Sequence, residues 1–498
     1  MSKKVLIANR GEIVIRIART CRKLGIIPCG IYSDADRDSL HVKNCEQTIN
    51  IGGVMPSESY LRIEKVIDAA KRLDCDLIHP GYGFLAENRE FADTCRKEGL
   101  IFIGPSHQVM KLSGDKVSAR KIASKVAPIV EGDEVSNESE AINLAEAIDF
   151  PVILKAVEGG GGRGLRIVRS SHELTDAFVI SKNESMISFG SGRVYIEKYI
   201  ENPRHIEVQI LADAGNSNII HLGERECTVQ RRHQKLIEET PSPALTNETR
   251  KYLTDTAIAI MKEIRYENAG TVEFLFKNGK FYFMEVNARI QVEHPITEAV
   301  TGLDIVEQQL NIALGNGLPL KQQDITSKGH AIECRINAEH PISFVPFPGT
   351  IKKFIPPEAN GVRIDTALYA GYTIPLFYDS LIAKLICVGR DRSETIEKMK
   401  RSLLSFRISG IPSTIPFHIS ALSDARFIQG NYDTSFINEM RNTSSKEGEV
   451  AAAIVSAVPK RITFLESKVT EELDPWMNSR FDWIDEFELP RLGSRWSK

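Results

Sequence analysis

Apolar runs and amphipathic stretches alternate along residues 1–112. Val5-Leu6-Ile7-Ala8 is a continuous apolar run, as a strand buried on both faces requires. Ile13, Ile17 and Leu24 then recur at helical spacing. Ile27 to Ile31 reads as a second strand, followed by the polar run Ser33 to Arg37. A helix pattern from Ser59 to Leu73 leads into Leu77-Ile78, and another helix precedes Ile101-Phe102-Ile103. This alternation predicts a Rossmann-like, doubly wound parallel sheet. The first turn, Asn9-Arg10-Gly11, lacks GxGxxG, so no nicotinamide or flavin is assigned.

The pattern then changes. A helix follows Gly114-Asp115-Lys116, and Phe150 to Ala156 is a strand carrying Lys155 near its end. Glu158-Gly159-Gly160-Gly161-Gly162-Arg163-Gly164 leads into a strand from Leu165 to Val168. Glycines let backbone N–H groups crowd a phosphate, but strand–loop–strand with no Gly-Lys-Ser/Thr is not a Walker A loop; a flexible tether is the other reading. Arg193 to Ile200 and His205 to Ile210 are strands, and Glu197 could meet an adenine amino group. Gln230 to Lys235 is a dense cationic run. Thr246 to Ile264 is an amphipathic helix with Thr246 as N-cap. A helix starts at Thr301-Gly302-Leu303-Asp304 and ends near Leu314. From Gly329 onward β signals dominate: His330 to Glu339 alternates strictly, Leu381 to Val388 is a strand, and Ser393 to Phe406 a helix. Arg335 faces away from Ile332, Cys334 and Ile336, which fits a structural arginine as well as a functional one.

The densest chemistry lies between Gly270 and Pro295. Two apolar runs flank Asn278-Gly279, a β-hairpin signal. Strict alternation points Tyr282, Met284 and Val286 one way and Phe281, Phe283, Glu285 and Asn287 the other. Glu273, Glu285 and Asn287 would supply oxygen ligands suited to Mg²⁺ or Mn²⁺, although exposed carboxylates are ordinary on a hairpin. A two-residue loop in straight register pairs Glu273 with Met284, on the wrong face. A three-residue loop, Lys277-Asn278-Gly279 with Gly279 as a bulge, pairs Glu273 with Phe283 on the face of Glu285; this loop is predicted. Arg289, Gln291, Glu293 and His294 follow at once.

At 498 residues about three domains are expected. A net charge of −3 gives no polyanion signal, so nucleic acid is not expected as a partner. No apolar run is long enough to cross a bilayer, and the first residues are too briefly apolar for a signal peptide, so a cytoplasmic protein is expected. The eight cysteines are scattered without CxxC, as expected for reduced thiols. After Arg441 a linker leads to a stretch of helical signal, Ala451 to Val458, and a tail holding Trp476, Trp483 and Trp496, which suits either an interface or packing on its own chain.

The chain resembles the biotin carboxylase component of biotin-dependent carboxylases, of the ATP-grasp superfamily, across roughly residues 3–440. The resemblance rests on Ile7-Ala8-Asn9-Arg10-Gly11-Glu12-Ile13, His79-Pro80-Gly81-Tyr82-Gly83-Phe84, Gly114-Asp115-Lys116, the glycine loop and Glu197-Lys198-Tyr199. It continues through Arg231 to Lys235, Glu285 to His294, and Glu333 to Glu339. It implies α/β and α+β architecture: an N-terminal domain at 1–112, an ATP-grasp domain at 113–328 with a mobile lid at about 130–203, a C-terminal α+β domain at 329–441, and a tail at 442–498.

By that resemblance Lys116 and Lys155 bind ATP phosphates under a lid carrying Gly161 and Gly162. Glu197, Lys198, Tyr199 and Ile200 line the adenine pocket, with His205 near the ribose and His233 also at the nucleotide. Glu273, Glu285 and Asn287 hold two Mg²⁺ or Mn²⁺ ions, the two glutamates also counting among the ATP-site residues. Lys235, Arg289, Gln291 and the Val292 backbone bind bicarbonate, Glu293 is its general base, and Arg335 with Tyr82 serves biotin. The implied reaction is ATP-dependent carboxylation of biotin on a separate carrier protein through carboxyphosphate, in an acetyl-CoA or propionyl-CoA carboxylase or as one chain of a two-chain pyruvate carboxylase. A separate biotin carboxyl carrier protein, a carboxyltransferase and a homodimeric state are expected with it. No Ala-Met-Lys-Met biotinylation motif occurs. Departures from the family pattern are Val157-Glu158, Ala288 and the Gly410 to Ile415 segment. Another ATP-grasp ligase, such as carbamoyl-phosphate synthetase, and an inactive nucleotide-binding scaffold are the competing readings; no internal duplication supports the first, and no named residue is missing to support the second.

Overall fold

The computed structural model of the chain describes residues 2–156, 165–189, 192–216 and 218–440. Gly161, Gly162 and the tail with its three tryptophans lie outside the described residues. The first sheet contains β1 (Lys4–Ile7), β2 (Ile27–Tyr32), β3 (Gln47–Asn50), β4 (Leu77–His79) and β5 (Ile101–Phe102). Its order is β3-β2-β1-β4-β5 and all pairings are parallel, as the alternating pattern predicts. Ile13, Ile17 and Leu77 pack on one side, and Ile67, Ile78 and Phe91 on the other. The helix predicted from Ser59 starts at Ile63. Pro56 opens a 3₁₀ turn there, and the N–H of Leu61 closes onto the Pro56 carbonyl at 2.9 Å.

A second sheet holds β6 (Gly132–Val135), β7 (Val152–Ala156), β8 (Arg166–Val168) and β9 (Val194–Lys198), antiparallel in the order β6-β9-β7-β8. Val152, Leu154, Val194 and Ile196 bury one face against Ala141, Ala145, Leu174 and Phe178 of two helices.

The remaining strands are β10 (Arg204–Ala212), β11 (Ile219–Arg231), β12 (Gln234–Thr240), β13 (Asn268–Lys277), β14 (Lys280–Asn287), β15 (His330–Asn337), β16 (Lys353–Ile355), β17 (Val362–Thr366), β18 (Leu381–Gly389) and β19 (Arg407–Ser409). Eight form one sheet, β14-β13-β10-β11-β12-β15-β18-β17, while β16 pairs with β19. Because β12 and β15 are hydrogen-bonded neighbours, the large sheet runs unbroken across residue 329, where the sequence changes character. The helix Asn247–Ile264, capped by Thr246 as predicted, packs on one face of this sheet. No described helix is long and apolar enough to cross a membrane.

The hairpin departs from the predicted loop. Lys277 pairs with Lys280, so the loop is the two residues Asn278 and Gly279, both with positive φ (50° and 76°). That loop matches the twist of its strands, which a three-residue loop does not improve. The register is corrected elsewhere: Phe274 pairs with Phe283 but Glu273 pairs with Glu285, leaving Met284 as an extra residue. Strict alternation of β14 therefore fails. Phe281, Phe283 and Val286 all enter the core below the sheet, and Glu285 and Asn287 stand on the opposite face. Glu273 and Glu285 end up directly opposite each other.

Candidate functional site

The sheet face turned away from the helix Asn247–Ile264 carries a cross-strand row of charge. Glu285 pairs with Glu273, Glu273 with Glu207, and Glu207 with Arg225. Like charges directly opposite repel, so this row requires cations. Arg225, fully buried, donates to Glu207 at 2.5 Å and to Gln209 at 2.7 Å. Lys235, at the start of β12, reaches over the row. Its ammonium donates to Glu207 at 2.6 Å, Glu273 at 3.0 Å and Glu293 at 2.6 Å.

Lys235 arrives there because the cationic run Gln230 to Lys235 is itself a hairpin, turning at Arg232 and His233, both with positive φ. His233 is exposed at that turn. Burial opposes the charge on Lys235, but the surrounding carboxylates outweigh it and hold the ammonium well above its usual pKa. Burial likewise opposes ionisation of Glu293, yet Lys235, Arg335 and Arg225 hold its carboxyl well below the usual range. Glu207 behaves oppositely: burial pushes its pKa up, against Arg225.

From Glu293 the network continues to Arg335, which donates to Glu293 at 3.0 Å and to Glu238 at 2.6 Å. Glu293 itself is the N-cap of a helix, His294–Thr301, that the alternation of apolar positions did not reveal. In the other direction His205 bonds Glu273 at 2.9 Å, and Gln291 donates to Glu273 at 3.1 Å. Arg289 donates to Gln291 at 2.8 Å, to Asn287 at 3.1 Å and to Glu87 at 3.0 Å. His205, Glu273, Glu285, Asn287, Arg289, Gln291, Glu293, Lys235 and Arg335 are thus brought into one connected cluster.

The other predicted residues make their hydrogen bonds to partners outside it. Lys155 and Arg120 both bond Glu197, the latter at 2.9 Å, in the four-stranded sheet. Lys198 turns to the carbonyls of Asp149 and Phe150, at 3.1 and 3.0 Å. Tyr199 and Ile200 follow β9, the Tyr199 N–H donating to Pro151. Lys116 opens a helix whose N-cap is Asp115. The Tyr82 hydroxyl donates to Glu12, and Val292 accepts through its carbonyl from Lys384 at 3.0 Å.

Glu87, Arg120, Glu207, Arg225, Glu238 and Lys384 were not singled out from the sequence. Glu207 was within reach, since it shares the parity of His205 on an alternating strand. Lys384 is a lone lysine in the apolar run Leu381 to Val388, and such a residue, once buried, needs a partner. Arg225, Glu238 and Glu87 carry no comparable local signal.

Comparison with known proteins gives a consistent picture. Residues 1–110 match the biotin carboxylase N-terminal domain family, 115–321 the ATP-binding domain of the carbamoyl-phosphate synthase L chain, and 333–439 the biotin carboxylase C-terminal domain. Biotin carboxylase 1 of Bacillus subtilis is 49% identical over 88% of this chain and 98% of its own. A pyruvate carboxylase subunit of Methanothermobacter thermautotrophicus is 46% identical over 96% of this chain and 100% of its own. Among solved structures, a Campylobacter jejuni biotin carboxylase complex with β-γ-ATP superposes with TM-score 0.86 at 46% identity, covering 88% of this chain and 99% of that one. The biotin carboxylase domain dimer of Hydrogenobacter thermophilus 2-oxoglutarate carboxylase, with MgADP, ADP and bicarbonate, superposes at 0.85 and 44% identity, covering 88% and 98%.

Proposed function

The chain belongs to the biotin carboxylase family and is a ligase, and from that premise we propose that it carboxylates biotin on a separate carrier protein. ATP and bicarbonate are the co-substrates and carboxyphosphate is the intermediate. The observation that carries this reading is the placement of Glu293. One of its oxygens faces Lys235 and the other Arg335, so one carboxylate joins the phosphate side of the site to the biotin side.

In this reading Glu293 takes the bicarbonate proton as the bicarbonate oxygen attacks the γ-phosphorus of ATP and ADP leaves. Lys235, Arg289, Gln291 and the Val292 backbone hold the bicarbonate. Carboxyphosphate then gives CO₂ and phosphate, the phosphate takes the N1 proton of biotin, Arg335 faces the charge that develops on the ureido oxygen, and N1 attacks the CO₂ to give carboxybiotin. Tyr82 borders the biotin. Lys116 and Lys155 neutralise ATP phosphates, Gly161 and Gly162 belong to the lid over them, and Glu197, Lys198, Tyr199, Ile200, His205 and His233 surround the nucleoside. Lys155 has to exchange its bond to Glu197 for phosphate.

Glu273, Glu285 and Asn287 fit a divalent cation. The two carboxylates of Glu273 and Glu285, opposite each other on adjacent strands, with the amide oxygen of Asn287 two residues on, are an all-oxygen donor set suited to Mg²⁺ or Mn²⁺. When bound, such an ion offsets phosphate charge. His205, Lys235 and Gln291 hold Glu273 oriented for it.

The test is phosphate release from ATP by the purified chain with bicarbonate, with and without free biotin or biotinylated carrier. Stimulation by biotin is expected; bicarbonate-dependent hydrolysis indifferent to biotin would overturn the reading. For the final acceptor, acetyl-CoA or propionyl-CoA is the sequence-based expectation, but one observation supports pyruvate. The match to the Methanothermobacter pyruvate carboxylase chain covers 96% of this protein, against 88% for the Bacillus biotin carboxylase, and so extends past Met440. Co-purified partner chains, assayed with pyruvate and with acyl-CoA, separate the two. A homodimer that persists on dilution is expected by light scattering.

A further inference from the structure

Lys384 lies in the middle of β18 with no exposed side-chain surface. Arg335 is its cross-strand partner on β15, so the two cations stand side by side on one sheet face. They reach adjacent residues of the same segment. Arg335 bonds the Glu293 carboxylate, and Lys384 donates to the Val292 carbonyl at 3.0 Å. The Val292 carbonyl and the Glu293 N–H belong to one planar peptide unit. Fixing that carbonyl fixes the plane from which Glu293 projects.

The second partner of Lys384 is Glu12, at 2.9 Å, near the start of the helix Glu12–Lys23. The same Glu12 oxygen accepts from the Tyr82 hydroxyl. Burial and the Glu12 charge push the Tyr82 phenol well above its usual pKa, so it stays a donor. Asp365 lies 3.9 Å from the ammonium but is engaged by Arg363 at 2.6 Å. One ammonium therefore ties the N-terminal sheet region, the Gln291–Glu293 segment and β18 together.

We propose that Lys384 is a positioning residue for the bicarbonate and biotin subsites, holding the Val292–Glu293 peptide directly and Tyr82 through Glu12. This rests on the biotin carboxylase reading above. Lys384 touches neither reacting group, and the nucleotide-side residues His205, Glu197 and Lys155 have no contact with it. Its loss is therefore selective among substrates, which a merely structural lysine's would not be.

The experiment is steady-state kinetics of the full-length chain and of Lys384→Met, varying bicarbonate, free biotin and ATP separately. Wild-type enzyme showing biotin-stimulated ATP cleavage establishes the underlying reading; without that activity the reading fails and not this inference. Given an active wild type, Lys384→Met is expected to raise KM for bicarbonate and for biotin roughly tenfold to a hundredfold, with KM for ATP unchanged. Wild-type KM values for bicarbonate and biotin, or a fall in kcat with every KM unchanged, overturn it. Lys384→Met leaves Glu12 buried without its cation, which threatens folding. Glu12→Gln keeps the shape, removes only the anion, and is expected to show the same split at smaller amplitude. Should Lys384→Met not fold, wild-type KM values in Glu12→Gln overturn the proposal.

Discussion

Glu238 and Glu239 are consecutive residues of β12, both fully buried, and they behave in opposite ways. Glu239 faces the helical layer of the C-terminal region. His330 meets it at 2.7 Å, Arg392 at 2.7 and 2.9 Å, and the Tyr432 hydroxyl at 2.5 Å. Burial raises its pKa, but these donors more than reverse that and bring it down to about 2. Glu238 faces the candidate site. Arg335 is its one bonding partner there, its second oxygen has none among the described residues, and another buried carboxylate, Glu333, stands opposite. Burial pushes Glu238 up to about 7, against Arg335 and with help from Glu293. Glu333 is also pushed well above its usual pKa, burial being the main cause. One face of the strand satisfies its charges completely; the other leaves acids in excess of cations. Full satisfaction is what a scaffold needs, whereas under-satisfied charge is what a site that receives cations and polar substrates needs.

The contrast breaks most visibly at Lys235. Replacing it by methionine removes the cation shared by three carboxylates, and biotin-dependent ATP cleavage is expected to fall by about 10²–10³ in kcat. On the opposite face, Glu239→Gln is expected to leave cleavage by the folded enzyme intact and to cost about 3–5 kcal/mol of stability, read by chemical denaturation. The pH dependence sharpens the same comparison. The folded-state pKa of Glu239 is depressed, so its contribution is present above the usual 4.5 and lost as pH falls towards 2. Glu239→Gln should remove that acid limb. The folded-state pKa of Glu238 is raised, so stability falls as pH climbs from 4.5 to about 7. Glu238→Gln should flatten that limb while destabilising less than Glu239→Gln, because less bonding is lost. The smallest effect is expected at the hairpin: Gly279→Ala, at φ 76°, should cost about 1 kcal/mol and leave KM for ATP unchanged.

The sequence was most legible where period and chemistry coincide. Val5 to Ala8 and Ile27 to Ile31 reveal the parallel sheet because strands covered on both faces have to be apolar throughout. Glu273, Glu285, Asn287, Arg289, Gln291 and Glu293 stand out from the order of residues alone, and all join one cluster, as does His205, which only the family resemblance singled out. The register of the hairpin does not, since Met284 fits either strand face and nothing local marks it as the bulge. Arg225 and Glu238 are equally hidden: a buried charge is recognised by the partner across the sheet, and that partner is far away in sequence. Lys384 lies between these cases, conspicuous as a charge in an apolar run but silent about its contacts with Glu12 and Val292.

The unbroken large sheet has a mechanical consequence. Its strands form a single beam from β14 to β17, and swinging the region after residue 329 against the region before it would tear the β12–β15 ladder. The four-stranded sheet shares no strand with that beam. Its approach is a short tether, where the Phe283 N–H donates to Pro128 at 2.8 Å and Ile129 bridges to Phe283. The molecule is therefore stiff along the large sheet, and the four-stranded sheet is fastened to it by connecting chain at residues 128–130 and by single ties such as Arg120 to Glu197, not by a shared ladder.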